Sequence, residues 1–316
     1  MEARHETVLL TESVDALVLE PGDVVVDGTL GGAGHFKLLL ETLGKDGVLV
    51  GIDADADALV RAQAVVDEVP EERRPDVRLV NGNFRDLAKI LDEQKLVPTK
   101  LLFDLGWSGF QLANGRGFSF RADEPLLMTY GNPETATTAG DLVNHLSEAS
   151  LADLLWALGE ERFARSIAKS IVNIREESEI LTTHQLVAAI EAGTPAWYRH
   201  RRLHPATKTF QALRIATNDE LGAIREGVGV ALERIPSGGR VAVITFHSIE
   251  DRIVKTMFRD AAQAGQGTLV SRKPLVPSPE ECKANPRSRS AKLRVFEAGA
   301  PASKKSINLH SFPVYA

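Results

Sequence analysis

The chain has a single cysteine, Cys282, in 316 residues. One thiol excludes an intramolecular disulfide framework and any Cys-rich zinc site, and it fits a reducing compartment. Long apolar runs are missing too. None approaches the roughly 18 residues that a membrane span needs, and the N-terminal stretch Met1-Glu-Ala-Arg-His-Glu mixes both charges instead of reading as a leader. A cytoplasmic protein without a membrane partner is expected. The chain also lacks an excess of positive charge, with 37 Lys and Arg against 43 Asp and Glu for a net charge of −6. That balance argues against a nucleic-acid coat protein, because neutralising phosphates needs clustered cations. Internal repeats and low-complexity tracts are absent as well.

What is present is a globular composition, 43% hydrophobic and 25% charged, at a length that suits a catalytic domain plus a second unit of about a hundred residues. The charge is unevenly spread. No acidic residue occurs from Ala192 to Asn218, where Arg199, Arg201, Arg202, Lys208 and Arg214 fall with His200 and His204. A second acid-free window, Cys282 to Phe296, holds Lys283, Arg287, Arg289, Lys292 and Arg294. Two basic windows on an acidic body point to a polyanion met at one place; the plainer alternative is two solvated loops.

Short apolar runs alternate with helical patterns over the first hundred residues, as in parallel βαβ units. Val24 to Asp27, Val48 to Asp53, Val77 to Asn81 and Leu101 to Asp104 read as buried strands, with helices over His35 to Leu43 and Asp55 to Val69. After a Gly- and aromatic-rich stretch, Gly106 to Phe120, no convincing strand follows. Leu151 to Gly159, Glu161 to Ile174 and Thr183 to Ala192 read as amphipathic helices, the last capped by Thr183 or Thr182. The α/β pattern resumes with a helix over Asp219 to Arg234 and a strand over Val241 to Phe246, while Thr268 to Arg272 and Leu293 to Glu297 are strands that could finish the sheet. The expected fold is α/β, a Rossmann-like, doubly wound and mostly parallel sheet. Residues 1–112 and 204–316 form a discontinuous catalytic domain, interrupted at 113–203 by an all-helical insertion.

Directly after the first strand comes Asp27-Gly28-Thr29-Leu30-Gly31-Gly32-Ala33-Gly34-His35. Glycines at a strand-to-helix turn let backbone pass close under a nucleotide, and the helix N-terminus offers free N–H donors. Asp53, at the end of the second strand, is placed to accept hydrogen bonds from ribose hydroxyls. The spacing discriminates between ligands. A dinucleotide turn needs a third glycine where Lys37 stands, and no Gly-Lys-Ser/Thr loop is present. An acidic residue closing strand one, here Asp27, is instead the arrangement of S-adenosylmethionine-dependent methyltransferases, near the methionine part of the cofactor. A purely structural turn in an unrelated α/β fold is the competing reading.

Asp104 closes the fourth strand, so Asp27, Asp53 and Asp104 are expected to face one crevice beyond the carboxyl ends of the strands. An exocyclic base amine is a poor nucleophile because its lone pair is delocalised into the ring. An acceptor gripping an amino hydrogen, Asp104 or backbone carbonyls beside it, redirects that pair toward a methyl group. The alternative is a strand-end aspartate capping the next turn. His247 and Ser248 follow the fifth strand at the same edge. Neighbours in sequence do not make a hydrolase dyad, and no Gly-x-Ser-x-Gly elbow occurs. His247 is a candidate for substrate contact, whereas Ser248 reads either as a contact or as a helix cap. His200 and His204 lack partners at metal-ligand spacing, so no metal site is expected.

Together with His204-Pro-Ala-Thr-Lys-Thr-Phe-Gln-Ala-Leu-Arg-Ile and Gly238-Gly-Arg-Val-Ala-Val-Ile-Thr-Phe-His-Ser-Ile-Glu-Asp-Arg, these motifs resemble the ribosomal RNA small-subunit methyltransferase H family, also called MraW. The likeness runs from His5-Glu-Thr-Val-Leu-Leu through Arg116-Gly-Phe-Ser-Phe to Asn285-Pro-Arg-Ser-Arg-Ser, almost the whole chain. The resemblance implies a class I methyltransferase that uses S-adenosylmethionine to methylate the exocyclic N4 of a cytidine in the decoding region of 16S ribosomal RNA, within the small subunit or its precursor. It places cofactor contacts on Ala33, Gly34, His35, Asp53, Phe84, Asp104 and Gln111, with Phe84 along the adenine, and Gly32 of the turn is a further cofactor candidate. Substrate contacts are expected from His204, Lys208, Arg214, His247, Ser248, Arg287 and Arg289. A homodimer is compatible with this reading.

The chain departs from the family at Ala33, where glycine is usual; at Trp107-Ser-Gly-Phe-Gln111, in place of Val-Ser-Ser-Pro-Gln; and at Leu127 and Thr129, in place of an Asp and Arg. A methyl group at position 33 is tolerable only if the backbone there avoids positive φ. The lost charged pair implies a rewired domain junction or a changed substrate. Two other functions compete, a ribosome-assembly protein that binds S-adenosylmethionine without turnover and a DNA amino-methyltransferase. The latter is disfavoured because Asp104 lacks the Pro-Pro-aromatic continuation.

Overall fold

The computed structural model describes residues 7–105 and 115–299. In chain order they run through α1 (Leu10–Leu17), β1 (Val24–Asp27), α2 (Gly34–Leu43), β2 (Val48–Asp53), α3 (Ala56–Asp67), β3 (Asp76–Asn81), α4 (Leu87–Gln94) and β4 (Lys100–Asp104). A helical stretch follows: α5 (Ala139–His145), α6 (Glu148–Gly159), α7 (Ala164–Glu177), α8 (Thr183–Ala192), α9 (Ala196–Arg199) and α10 (Thr207–Asn218). The α/β pattern then returns with α11 (Glu220–Arg234), β5 (Arg240–Thr245), α12 (Ser248–Gln263), β6 (Gly267–Leu269), α13 (Pro279–Ala284) and β7 (Lys292–Ala298).

The strands form one sheet in the order β3-β2-β1-β4-β5-β7-β6, parallel except for β7, which runs against both of its neighbours. The chain winds outward from β1 in one direction to β3 and in the other to β4, so the strand order reverses between β1 and β4. In open α/β sheets ligands bind at that switch point. Strands β1, β2 and β4 are continuous apolar runs because both of their faces are covered. Val25, Leu49 and Leu102 meet α1, α2 and α3 in one core, around Leu17, Phe36, Leu40 and Ala62. The alternate residues Val26, Val50, Leu101 and Phe103 meet α4, α11 and α12 in a second, around Leu91, Val228 and Phe258. The expected Rossmann-like, mostly parallel sheet is present, and both late strand candidates belong to it.

A third core, among them Val143, Leu155, Ile167, Ile171 and Leu186, holds α5 to α8 together. Its last wall is α10, which turns Phe210 and Leu213 into this core while Ile215 packs with the sheet's helices. One helix therefore serves both units. Helix α8 begins behind Thr182, whose hydroxyl accepts from Gln185 N–H while the Gln185 side chain reciprocates, a capping box. Helix α7 starts at Ala164 instead of Glu161, because buried Glu161 is engaged elsewhere: its carboxylate accepts from Phe163 N–H at 2.8 Å and from the Tyr198 hydroxyl at 2.8 Å.

Candidate functional site

A cleft of about 1010 Å³ opens over the carboxyl ends of β1, β2 and β4, where the strand order reverses. Its floor is the glycine turn. Gly31 N–H donates to Asp53 Oδ2 at 2.9 Å and Asp55 N–H donates to Asp53 Oδ1 at 2.9 Å, so the strand-end carboxylate anchors both the turn and the start of α3. A carboxylate has about four acceptor sites, which leaves capacity for ligand hydroxyls. Burial raises Asp53 above the ordinary aspartate range, against the lowering effect of these two bonds. Gly34 is glycine for steric reasons: Thr7 Oγ1 occupies the place where a Cβ would project.

Asp104 lines the cleft at the end of β4. Its N–H donates to Thr29 Oγ1 at 2.7 Å, fixing the strand end to the turn, and its Oδ2 lies 3.5 Å from Nδ1 of buried His35. Asp27 differs from expectation. It has no solvent exposure and is not a lining residue; it sits beneath the turn, accepting from Thr29 N–H at 3.1 Å. Burial pushes its pKa well above the usual carboxylate value, and the charges of Asp104 and Asp53 push it the same way. Its Oδ2 is buried with no hydrogen-bond partner among the described residues. Two carboxylates, Asp53 and Asp104, therefore line the cleft on either side of the turn, with Asp27 buried beneath it, and the lining pair suits a ligand bearing positive charge.

Of the remaining turn and cofactor candidates, Gly32, Gly34 and His35 line the cleft, as does Phe84, whose ring meets Phe103 at a centroid distance of 5.6 Å. Ala33 precedes α2 in the left-handed region at φ 61°, with its methyl buried. The condition under which alanine would be strain-free there is not met. Gln111 and the Trp107–Gln111 departure lie outside the described residues.

The opposite wall comes from the second half of the chain. His247 caps α12: its Nδ1 accepts from Glu250 N–H, and the Glu250 carboxylate accepts from Phe246 N–H at 2.8 Å and from His247 N–H at 3.2 Å. The cap is therefore His247 and not Ser248. The Ser248 hydroxyl instead donates to Glu160 Oε2 at 2.9 Å, and Arg252 binds Glu160 Oε1 at 2.6 Å, which clamps α12 to the end of α6. Lys208 Nζ reaches the carbonyl of the same Glu160. His204 is exposed and stacks on Phe120 at 4.5 Å, and Phe120 lines the cleft. Arg287 also lines it, while Arg289 is exposed beyond its edge.

Arg214 is buried and forked onto Glu220, with Nε 2.9 Å from Oε1 and Nη2 2.9 Å from Oε2. The Tyr130 hydroxyl donates to Glu220 Oε1 at 3.0 Å, and burial beside that charge holds Tyr130 well above the usual phenol range. Glu220, His247 and Glu250 offer ligand atoms within 4.8 Å of one another, the described residues' one grouping that could hold a metal ion. The Arg214 guanidinium already supplies a positive charge to Glu220. Sequence reasoning missed Glu220, Tyr130 and Glu250. The partners of Glu220 stand 6 and 90 positions away, outside any local pattern.

The second basic window does not stay basic in space. Arg294 is buried in β7 and Lys292 sits at its start, and both bind Asp251 on α12, at 2.7 and 3.0 Å. Antiparallel pairing of β7 with β5 carries these two side chains onto α12, so of the window's five cations only Lys283, Arg287 and Arg289 remain exposed. Leu127 and Thr129 lie in the junction between the units: Thr129 is buried, Arg116 Nη1 donates to its carbonyl, and Asn218 ties down the carbonyl of Met128 and the N–H of Tyr130. Hydrogen bonds between the Arg116 and Asn218 side chains and this backbone hold the junction without a charged pair at 127 and 129.

A profile of the MraW methylase family matches residues 2–299. Proteins named ribosomal RNA small subunit methyltransferase H align with nearly the whole chain. The one from Heliobacterium mobile is 43% identical over 315 residues, covering 94% of this chain and 99% of its own. Those from Geotalea uraniireducens and Deinococcus radiodurans are each 44% identical, covering 93% and 94% of this chain and 98% and 90% of theirs. With that likeness running from the glycine turn to the reversed last strand, the chain belongs to the MraW methylase family.

Proposed function

We propose that the cleft binds S-adenosylmethionine and that the protein methylates the exocyclic N4 of a cytidine in the decoding region of 16S ribosomal RNA. The observation that carries this reading is Asp104, held by Thr29 and His35 at the sheet's switch point, in one cleft with the glycine turn and with Arg287 and His247 from the far half of the chain. The cleft fits the cofactor. Asp53 retains acceptor capacity for a ribose, Phe84 offers a ring face, and the cleft-lining carboxylates of Asp53 and Asp104 favour a cation. When bound, S-adenosylmethionine supplies an electrophilic methyl group.

The chain's own residues do the rest. Asp104 would accept a hydrogen bond from the cytosine amine, turning the nitrogen lone pair away from the ring and toward the methyl group, and the surplus amine proton leaves after transfer. His35, buried beside it, orients the carboxylate. The target base has to leave its stack to reach this depth. Residues 113–203 serve in this reading as the substrate-recognition unit between the two parts of the methyltransferase domain, 1–112 and 204–316. Arg214 and Lys208 are engaged within the protein, so of the two basic windows Arg199, Arg201, Arg202, Lys283, Arg287 and Arg289 are the cations left to grip RNA phosphates.

Mass spectrometry of ribosomal RNA nucleosides from cells with and without the protein tests this. Loss of N4-methylcytidine, restored by the purified protein acting on unmodified small subunits, is the expected result. An unchanged signal would sink the reading, and cofactor binding without base methylation would favour a non-catalytic assembly role. Sedimentation of the purified protein tests for a homodimer.

A further inference from the structure

Two tryptophans stand out of the helical unit where a packing role would bury them. Trp156 on α6 is 64% exposed and Trp197 on α9 is 52% exposed. Trp156 lines a surface hollow together with Arg162, Phe163 and Arg165, at the start of α7. The Arg162 guanidinium lies over both Phe163 and Trp197, 4.9 and 5.2 Å from the ring centroids, and Arg201 lies 5.3 Å over Tyr198. Trp197 stands steeply to Phe163 and Tyr198, at interplanar angles of 66° and 90°, so neither ring lies flat on it.

We propose that this face is a stacking platform for unpaired nucleobases of the RNA that flanks the methylated nucleotide. The inference rests on the RNA-methyltransferase reading and adds a site remote from the cleft. Exposed rings interleaved with guanidinium planes accept bases of any sequence, because every base has a π-face, while the cations meet the backbone. Arg162, Arg165, Arg199, Arg201 and Arg202 are all exposed, and among the described residues none forms an ion pair. Asp153 is the one acidic residue lining the hollow. The face also continues toward the cleft: from α9 the exposed run Arg199 to Leu203 leads to His204, which stacks on cleft-lining Phe120. A strand whose base enters the cleft therefore has a cationic track leading to the tryptophans.

The test uses the full-length protein with a short fluorescent single-stranded oligoribonucleotide and the same strand annealed to its complement. Single strands should bind more tightly than duplex and quench tryptophan emission. Trp156→Ala and Trp197→Ala should each weaken single-strand binding about fivefold or more, while Trp156→Phe and Trp197→Phe retain most of it. Arg162→Gln should lower the salt dependence by about one ion. In methyl transfer to small subunits the alanine variants should raise KM and leave kcat and cofactor affinity unchanged.

Unchanged affinity in both alanine variants, or equal binding of single strand and duplex, would overturn the platform. So would photocrosslinking of position 156 to a ribosomal protein and not to RNA. Absence of methyl transfer by the unaltered protein would sink the underlying reading instead, and the oligonucleotide measurements would still judge the platform. Trp156, the more exposed of the two, keeps the test valid should Trp197→Ala fail to fold.

Discussion

Phe84 packs so closely on Gly227 that a Cβ at 227 would stand 2.5 Å from its ring Cδ2 and 2.7 Å from its carbonyl oxygen. A glycine in the middle of α11 is what lets the short 3-10 turn Phe84–Asp86 close against the sheet and present its ring to the cleft. Because one of the two obstructing atoms is backbone, a ring flip alone cannot make room. Gly227→Ala should displace Phe84 and weaken S-adenosylmethionine binding by about tenfold, or ~1.4 kcal/mol, as titration calorimetry would read. Gly229→Ala is the control in the same helix: its nearest atom is Met257 Cε at 3.9 Å, and it should leave affinity unchanged while stabilising the fold by up to about 1 kcal/mol.

Asp104 is the group whose removal separates binding from transfer. Asp104→Ala should lower kcat by about a hundredfold or more at saturating cofactor, a loss typical of a misplaced proton acceptor, with a smaller change in cofactor affinity. Asp104→Asn, which keeps one acceptor oxygen, should retain more activity than Asp104→Ala. Rates of labelled methyl transfer to unmodified small subunits decide it. Full activity in both variants would remove Asp104 from the mechanism.

Asp251 ties α12 to β7 through Arg294 and Lys292. Burial alone would raise its pKa, but the bonds from Arg294 and Lys292 outweigh it and leave Asp251 below the ordinary aspartate range. A carboxyl depressed in the folded state contributes stability that is present above its unfolded pKa, about 3.9, and is lost as pH falls through the lower folded value. Asp251→Asn should therefore cost roughly 3 kcal/mol in urea denaturation at neutral pH, since Arg294 is left buried and unpaired. The difference from the unaltered protein should shrink as pH is taken below 4.

Ala33 holds a left-handed backbone that glycine adopts without penalty. Relief of about 1–2 kcal/mol of backbone strain is offset in part by loss of a buried methyl worth about 0.8 kcal/mol. Ala33→Gly should raise stability modestly, by roughly 0.5 kcal/mol, without altering methyl transfer. A drop in melting temperature would show that the methyl's packing outweighs the strain.

Where one physical cause dominates, the sequence is readable to the residue. Val24–Asp27 and Val48–Asp53 are central strands covered on both faces, so their apolar runs coincide with their pairing. The edge strand β6 is different: it pairs only with β7, and the expected Thr268 to Arg272 became Gly267–Leu269 because few partners hold it. The glycine turn, Asp53 and Asp104 were legible because strand ends in such sheets share an edge. Asp27 shares the strand end but not the cleft, since its side chain points under the turn, a matter of local rotation that spacing does not encode. Counting cations also fails where burial intervenes. Along the chain Arg214 and Arg294 belong to acid-free windows, but in space Glu220 and Asp251, which lie outside those windows, stand beside them.

The reversed strand has a bearing on how the molecule is made. Strand β7, the last element of the sheet, lies between β5 and β6 and is the neighbour of both. While the chain is being synthesised, β5 therefore presents an open edge, and β6 has nothing to pair with, until Lys292–Ala298 emerges and slips between them. Unpaired edges of this kind recruit other chains. The sheet that carries the catalytic edge is finished by almost the last described residues, so a chain cut short before Lys292 would expose a sticky strand and would not yield a smaller enzyme.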